Sequence, residues 1–169
     1  MARYNASFSQ VTAGVVADST PFTIGQSYGS LRANTTLLLK INEVYIGGES
    51  TASTPTTVVL ARCSTLSVGA LSYAGSGGGI ALADALSTAP GTTPNWGNVA
   101  VTSYPSRSAA ATGYLLDLSL NTFGGIARWQ ARYGEEITVY SGTQPLGEVV
   151  LSSKAGAGVA SGHVLLEAV

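Results

Sequence analysis

Three polar side chains recur at every second position in one short stretch of the sequence, Arg128, Gln130 and Arg132. Residues two apart lie on the same face of a β-strand, so the stretch predicts a polar face opposite Trp129 and Tyr133. A solvated face over an aromatic core has this pattern. A guanidinium can also donate two parallel hydrogen bonds to a carboxylate, a role that suits arginine better than lysine. We therefore treat the three polar residues as candidate contacts to a partner protein.

A glycine-rich stretch, YAGSGGGIALAD at residues 73–84, raises the question of nucleotide binding. A dinucleotide fingerprint needs the order G-x-G-x-x-G at the start of a helix inside a βαβ unit. Counted from Gly75 and Gly77, the third position holds Ile80, and no suitable acidic residue follows. A phosphate-binding loop with G-K-[ST] is also absent from the sequence. We interpret the stretch as a permissive loop leading into a turn of helix at IALADAL, and we expect no cofactor.

The groups that carry most enzyme chemistry are scarce in this chain. His163 is the only histidine and Cys63 the only cysteine, which excludes an intramolecular disulfide and a multi-thiolate metal site. No G-x-S-x-G motif supplies a nucleophile for a triad with the histidine. Glu135 and Glu136 are adjacent, so a strand would send their carboxylates to opposite faces. The sequence predicts no catalytic residue and no metal site, and we expect the protein not to be an enzyme.

Low charge is the main compositional feature. Charged residues make up 10% of the 169 residues, against about 25% in average soluble proteins, and the net charge is −1. This balance lacks the basic surface that nucleic-acid-binding proteins use, and no apolar run is long enough to span a membrane. The first ten residues lack a basic start followed by an apolar run, so we expect no signal peptide and synthesis in the cytoplasm. So few charges favour a surface that other subunits partly cover.

Alternating apolar and polar residues between turn residues predict a fold made of β-strands. GYLLDLSLN and IARWQARY alternate most clearly, and we expect NTFGG to join them as a hairpin. Further predicted strands are TTLLLKINEVYI, TVVLARC, EITVYS, EVVLSS and HVLLEA. RYNASFSQ and PFTIGQS are weaker strand candidates. GTQPLG is predicted to be a turn and KAGAGVASG a loop. About eight strands predict an all-β fold, an antiparallel β-sandwich with a jelly roll as the leading architecture.

The length fits one domain spanning residues 1–169. Residues 66–113 form a long insertion rich in Gly, Ala, Ser and Thr, and long insertions in compact domains are often functional. Trp96 and Tyr104 lie in this insertion and are further candidate partner contacts. Residues 1–34 either pack on the domain or extend as an N-terminal arm onto a neighbouring subunit.

Three stretches of the chain carry a resemblance to a known family: LLLKINEVYIGGESTASTPTTVVLARCST, IARWQARYGEEITV and GHVLLEAV, within a likeness spanning about residue 35 to the C-terminus. They resemble the small β-rich capsid decoration, or cement, proteins of tailed phages, which are encoded beside capsid genes. The resemblance implies a β-sandwich that forms a homo-oligomer, commonly a trimer. It also implies a location on the outer surface of the virion capsid, bound to the major capsid protein. No catalytic residue is carried over.

Two other classes of function stay open at this point. A receptor- or glycan-binding module of a phage fibre or capsid would use the same sandwich, with exposed aromatic rings such as Trp96, Tyr104 or Tyr140 stacking on sugars. A small hydrolase would depend on His163 or on paired glutamates, and it is the least favoured of the three classes.

Overall fold

In a computed structural model the chain folds into two antiparallel β-sheets packed face to face, described for residues 1–15, 27–33, 37–69, 71, 78–83, 94–98, 114–140 and 147–169. The strands are β1 Ala2–Thr12, β2 Ser27–Arg32, β3 Leu39–Gly48, β4 Pro55–Arg62, β5 Gly79–Leu82, β6 Asn95–Gly97, β7 Tyr114–Asn121, β8 Ile126–Gln130, β9 Ile137–Val139, β10 Glu148–Ala155 and β11 Val159–Ala168. The predicted all-β antiparallel sandwich is confirmed.

The chain changes sheet at most of its connections. One sheet has the strand order β5-β1-β11-β3-β8, with β9 also paired to β3, and the other has the order β6-β2-β10-β4-β7. Long-range antiparallel pairing therefore builds both sheets. The predicted NTFGG hairpin is wrong, because β7 pairs with β4 in one sheet and β8 pairs with β3 in the other. This connection is an arch that crosses between the sheets.

Apolar side chains from both sheets fill the space between them. The largest fully buried ones are Tyr4, Phe8, Leu39, Ile41, Ile46 and Leu166 from the six-stranded sheet and Tyr28, Leu31, Leu60 and Leu151 from the five-stranded sheet. The rings of Phe8 and Tyr28 meet across the interface with centroids 5.5 Å apart. The Tyr28 hydroxyl donates a hydrogen bond to the Gly158 carbonyl at 3.1 Å, and burial raises the pKa of Tyr28 to about 12. The core thus holds a satisfied polar group as well as apolar ones.

The two sheets differ in what lies on their outward faces. In the five-stranded sheet, Val59 and Val150 are fully buried although they alternate with the core residues Val58 and Val149. The middle of that sheet is therefore covered on both sides, as the nearly continuous apolar sequence in β4 and β10 suggests, whereas the outward side chains of β7 are exposed at Asp117 and Ser119. The outward side chains of β1, β3, β8 and β11 are instead mostly half-buried or exposed. We call this second surface the outer sheet face.

Several predicted boundaries shift. The predicted loop KAGAGVASG shrinks to residues 156–158, because β10 extends to Ala155 and β11 begins at Val159. The predicted strand IARWQARY ends at Gln130. A β-turn follows in which the Glu135 amide donates to the Arg132 carbonyl at 2.9 Å, with Gly134 at φ 86° in its third position. Tyr133 is fully exposed on this turn, so its predicted place on the core side of a strand is wrong.

The N-terminal segment and the insertion both contribute strands. β1 and β2 each have a strand neighbour on both sides, so residues 2–12 and 27–32 lie within the sheets rather than extending as an arm. The insertion supplies β5 and β6 as edge strands, and Ile80 to Leu82, predicted to begin a helical turn, lie in β5. Half of the glycine stretch, Tyr104, nearly all of PFTIGQS and most of GTQPLG lie outside the described residues.

Three connections between the sheets meet at one buried residue, Thr122, which is 0% exposed. Its amide and its hydroxyl both donate to the Thr54 carbonyl, each at 3.0 Å, and its carbonyl accepts from the Ser50 amide at 2.8 Å. These bonds join the β7–β8 arch to the β3–β4 connection. A Cβ on Gly158, in the β10–β11 connection, would lie 2.1 Å from the Thr122 hydroxyl oxygen. Glycine is therefore required where the connections cross.

A substitution at Gly48 tests the close approach of the connections at Thr122. A Cβ on Gly48 would lie 2.3 Å from backbone atoms of Thr122, which cannot rotate away, so we expect Gly48→Ala to lower the free energy of unfolding by about 2–3 kcal/mol. Urea unfolding followed by circular dichroism measures the change. Gly79→Ala is the matched control, because nothing lies within 4 Å of the added methyl group. Equal stability of the two variants would contradict the account of the crossing.

Candidate functional site

A β-bulge in β3 sets which side chains face outward. Leu165 of β11 pairs with Glu43 and Leu166 pairs with Ile41, so Asn42 is an extra residue in β3. Leu39 and Ile41 point into the core before the bulge, and Val44 and Ile46 do so after it. Glu43 and Tyr45 are thereby placed on the outer sheet face. Bulges often re-aim side chains in this way beside functional sites.

One row of residues runs across the outer sheet face. Ser7 of β1 pairs with His163 of β11, His163 with Tyr45 of β3, and Tyr45 with Arg128 of β8. Directly paired residues of antiparallel strands point to the same face, so these four side chains are neighbours. The rings of Tyr45 and His163 stack at a centroid distance of 5.4 Å with their planes 16° apart.

Glu43 joins this row from its edge. Its carboxylate accepts a hydrogen bond from Arg128 Nη2 at 2.8 Å and lies 3.2 Å from His163 Nε2. The Glu43 side chain is 11% exposed, whereas that of Arg128 is 55% exposed. The Arg128 hydrogen bond, with a smaller contribution from His163, holds the pKa of Glu43 below its ordinary value despite burial. The same bond raises the pKa of Arg128. Arg128 is thus already partly engaged within the chain.

The two ends of the outer sheet face differ in character. At one end Arg3, Glu167 and Lys40 are directly paired across three strands. A depression of 510 Å³ there is lined by Met1, Arg3, Lys40, Asn42, Gln130, Ala131, Tyr133, Glu136, Leu165 and Glu167. The Arg132–Glu135 turn stands beside it. We call Arg3, Lys40, Gln130, Arg132 and Tyr133 the basic end.

The other end holds a pocket of 450 Å³ beside the β7–β8 arch, which we call the arch-end pocket. Its side-chain lining includes Asn5, Tyr45, Glu49, Ser161 and His163, and glycines of β3 and the arch form much of the remainder. Because glycine has no Cβ, the backbone itself forms part of the surface there. The stacked Tyr45 and His163 rings lie between this pocket and Glu43.

The predicted contact residues fall in different places. Arg128 and Gln130 lie together on the outer sheet face of β8, as their spacing predicts, whereas Arg132 lies beyond the strand. Trp96 is 5% exposed and its Nε1 donates to the Ser7 carbonyl at 2.9 Å, so the expectation of an exposed ring is wrong. Its bond reaches from β6 to the other sheet. Tyr104 lies outside the described part of the chain.

Sequence reasoning missed two features of this surface. Tyr133 was assigned to a core face, although the Gly134 that follows it is a turn signal that could have moved it to the surface. The contact of His163 with Glu43 joins residues 120 positions apart, and no local pattern signals it. The contact of His163 with Glu43 can be recognised only when the register of β11 on β3 is known.

Glu43 and Glu148 lie in different sheets. Glu43 lies on the outer sheet face, whereas Glu148 is fully buried in the five-stranded sheet, where its carboxylate accepts from the Ser67 amide at 2.8 Å. Among the described residues no group of three or more His, Cys, Asp or Glu side chains could hold a metal ion. No helix within the described ranges is long and apolar enough to cross a membrane.

Comparison with protein-family models, curated proteins and solved structures finds no match to the chain.

Glu43 gives the outer sheet face a pH-dependent stability. A carboxyl whose pKa is lowered on folding stabilises the fold above its unfolded pKa, near 4.5, and this contribution is lost as the pH falls through the lower folded value. We expect Glu43→Gln to cost about 1 kcal/mol at pH 7 and to cost progressively less as the pH falls below 4.5.

Urea unfolding of both proteins from pH 7 to pH 3 measures this difference. The Arg128→Gln variant and the double variant complete a thermodynamic cycle that isolates the coupling of the two side chains. A coupling that is the same at pH 3 and pH 7 would contradict the pairing of an ionised Glu43 with Arg128.

Proposed function

We propose that the protein is a virion structural protein, a decoration or cement protein that binds the outer surface of a tailed-phage capsid and stabilises the shell. The observation that carries the proposal is the basic end, which combines exposed arginine with a fully exposed tyrosine on a hydrogen-bonded turn. Arginine and tyrosine are the residue types that dominate the energetics of protein interfaces. The family resemblance of the sequence points to the major capsid protein as the partner.

The strand order supports the finer assignment of the sandwich as a jelly roll. With β5, β6 and β9 set aside, the first strand pairs with the last, β2 with β10, β3 with β8, and β4 with β7. Such nested pairing arises when one long antiparallel hairpin wraps into two sheets. Jelly rolls of this kind serve as viral capsid and lectin domains. The architecture is therefore compatible with a place on a virion surface.

The charge distribution favours a protein partner over nucleic acid. Arg3 and Lys40 flank Glu167 directly, so the basic end mixes both signs rather than forming a continuous positive stripe. Among the described residues Arg132 has no carboxylate partner, and its guanidinium is positioned to bind a carboxylate of another protein. Gln130 beside it adds a donor and an acceptor. We propose that these groups meet acidic side chains on the capsid.

Shell stabilisation by this protein would follow from mass action. A ligand that binds the assembled shell but not its separated subunits shifts the equilibrium toward the shell. We propose that the protein acts as a homo-oligomer, with a trimer favoured, because several weak contacts then act together and gain avidity. A chain with 10% charged residues is suited to burying part of its surface against other subunits.

The alternative glycan-binding function loses one of the aromatic residues on which it rested. The buried Trp96 ring packs in the core and does not offer a face to a sugar. Tyr140 is exposed just after β9, and it lines neither the depression at the basic end nor the arch-end pocket. These residues therefore give no reason to place this alternative above capsid binding.

Substitution of the exposed turn tests capsid binding. We expect the double variant Arg132→Ala, Tyr133→Ala to bind capsids at least about tenfold more weakly, where the capsids are built from the major capsid protein encoded beside this chain. The two substitutions remove an arginine and a tyrosine, the residue types that contribute most to binding at protein interfaces. Co-sedimentation with purified capsids that lack this protein measures the bound fraction. Neither side chain packs in the core, so the variant should keep its stability.

Lys154→Ala with Phe123→Ala is the matched control, because it also removes one basic and one exposed aromatic side chain, away from the basic end. Full binding by the control and weak binding by the turn variant is the expected result. Equal binding of the two variants would count against the basic end as the capsid contact.

A further inference from the structure

The arch-end pocket has the volume of a small-ligand site. Its 450 Å³ falls within the range of about 300–1,000 Å³ typical of ligand pockets. It lies on the outer sheet face at the end opposite the basic end, so occupation of one need not block the other. We propose that this pocket binds a carbohydrate ring. The inference rests on the pocket alone and does not depend on the capsid role.

An aromatic ring laid along the sheet forms one wall of the pocket. A Cβ on Gly47 would lie 3.6 Å from the Tyr45 hydroxyl and 3.8 Å from its ring, so the tyrosine extends along β3 over the glycine. Its stacking on His163 holds the ring in this orientation. The C–H face of a sugar packs against such a ring, because the aromatic face carries partial negative charge and the C–H groups partial positive charge. Glycines around it leave room for the ligand.

The polar groups of the pocket match hydroxyls. The amide of Asn5, the hydroxyl of Ser161 and the carboxylate of Glu49 offer both donors and acceptors, and a sugar hydroxyl both donates and accepts. The Ser161 Oγ accepts from the Gln10 amide at 2.8 Å, which directs its own proton elsewhere. These groups stand on β1, β11 and just after the end of β3, which are neighbours in one sheet, so they can reach a ligand from the floor of the pocket.

Asn5 provides an independent sign of a missing partner. Its Oδ1 is buried and has no hydrogen-bond donor within the described structure. Buried polar atoms are nearly always hydrogen-bonded, and one left without a partner costs about 1–3 kcal/mol. Asn5 lines the pocket, so a rotation of its whole side chain that turns Oδ1 toward the opening would let a ligand hydroxyl donate the missing bond.

The lining disfavours charged ligands. Its described residues include no lysine or arginine, so nothing balances a phosphate or a carboxylate. The nearby Arg128 guanidinium is paired with Glu43 and lies outside the lining. Glu49 is the one carboxylate at the pocket, and it is exposed to water, which weakens its attraction for an ammonium group. A neutral polyhydroxylated ring fits better than either ion.

Titration of the full-length ¹⁵N-labelled chain tests the proposal. Glucose, galactose and N-acetylglucosamine are added separately, and amide chemical shifts are followed by NMR. We expect saturable shifts at millimolar concentration for at least one sugar, confined to Gly47, Ser161, His163 and the arch. Inorganic phosphate and propylammonium are titrated in parallel. Saturable shifts at these amides with either ion and with none of the sugars would overturn the proposal, as would no saturable shift at all.

A substitution that fills the arch-end pocket, compared with a matched control outside it, tests the location of the site. Gly47→Val places a side chain on the pocket floor, where the first atom meets only ordinary contacts, and we expect it to weaken sugar binding at least about tenfold. Gly79→Val is the control, because its first atom meets nothing within 4 Å and it lies outside the lining. Gly47→Ala is the smaller substitution if the valine variant unfolds. Equal sugar affinity of the Gly47 and Gly79 variants would overturn the site.

Discussion

The close crossing of three connections at Thr122 is the contact on which the rest of this structure depends. The chain passes repeatedly from one sheet to the other, so the ends of the sandwich must close with little space. Backbone hydrogen bonds from Thr122 to Ser50 and Thr54 hold two of these connections together, and glycine allows the third to approach. The same crossing fixes where β8 starts, and therefore where Arg128 and the wall of the arch-end pocket lie.

Unequal covering of the two sheets determines where function can reside. The middle of the five-stranded sheet is buried on both faces, and the carboxylate of Glu148 is enclosed and hydrogen-bonded there. The six-stranded sheet leaves one face open, and the Asn42 bulge turns Glu43 and Tyr45 onto it. Charge pairs and stacked rings then divide that face into a basic end and a pocket. The surfaces that we propose for a capsid and for a sugar both lie on this face.

The sequence predicts β7 and β8 well because each carries its own period-two pattern, whereas the short edge strand β5 is predicted to begin a helical turn. It predicts the partners of those strands poorly, because pairing joins residues far apart. The NTFGG loop looks like a hairpin locally, and only the competing partners β3 and β4 make it an arch. The spacing of polar residues in β8 is enough to predict that Arg128 lies on an exposed face. No such pattern predicts the contact of His163 with Glu43, because that contact exists only once β11 lies beside β3.

Quantitative mass spectrometry of purified virions of the phage that we propose encodes this chain tests the central claim most directly. Decoration of the capsid surface predicts a copy number of the same order as that of the major capsid protein, and removal of the chain should lower the temperature at which the shell opens. A handful of copies per particle would place the protein on a tail or vertex instead. Complete absence from clean particles would contradict a structural role in the virion.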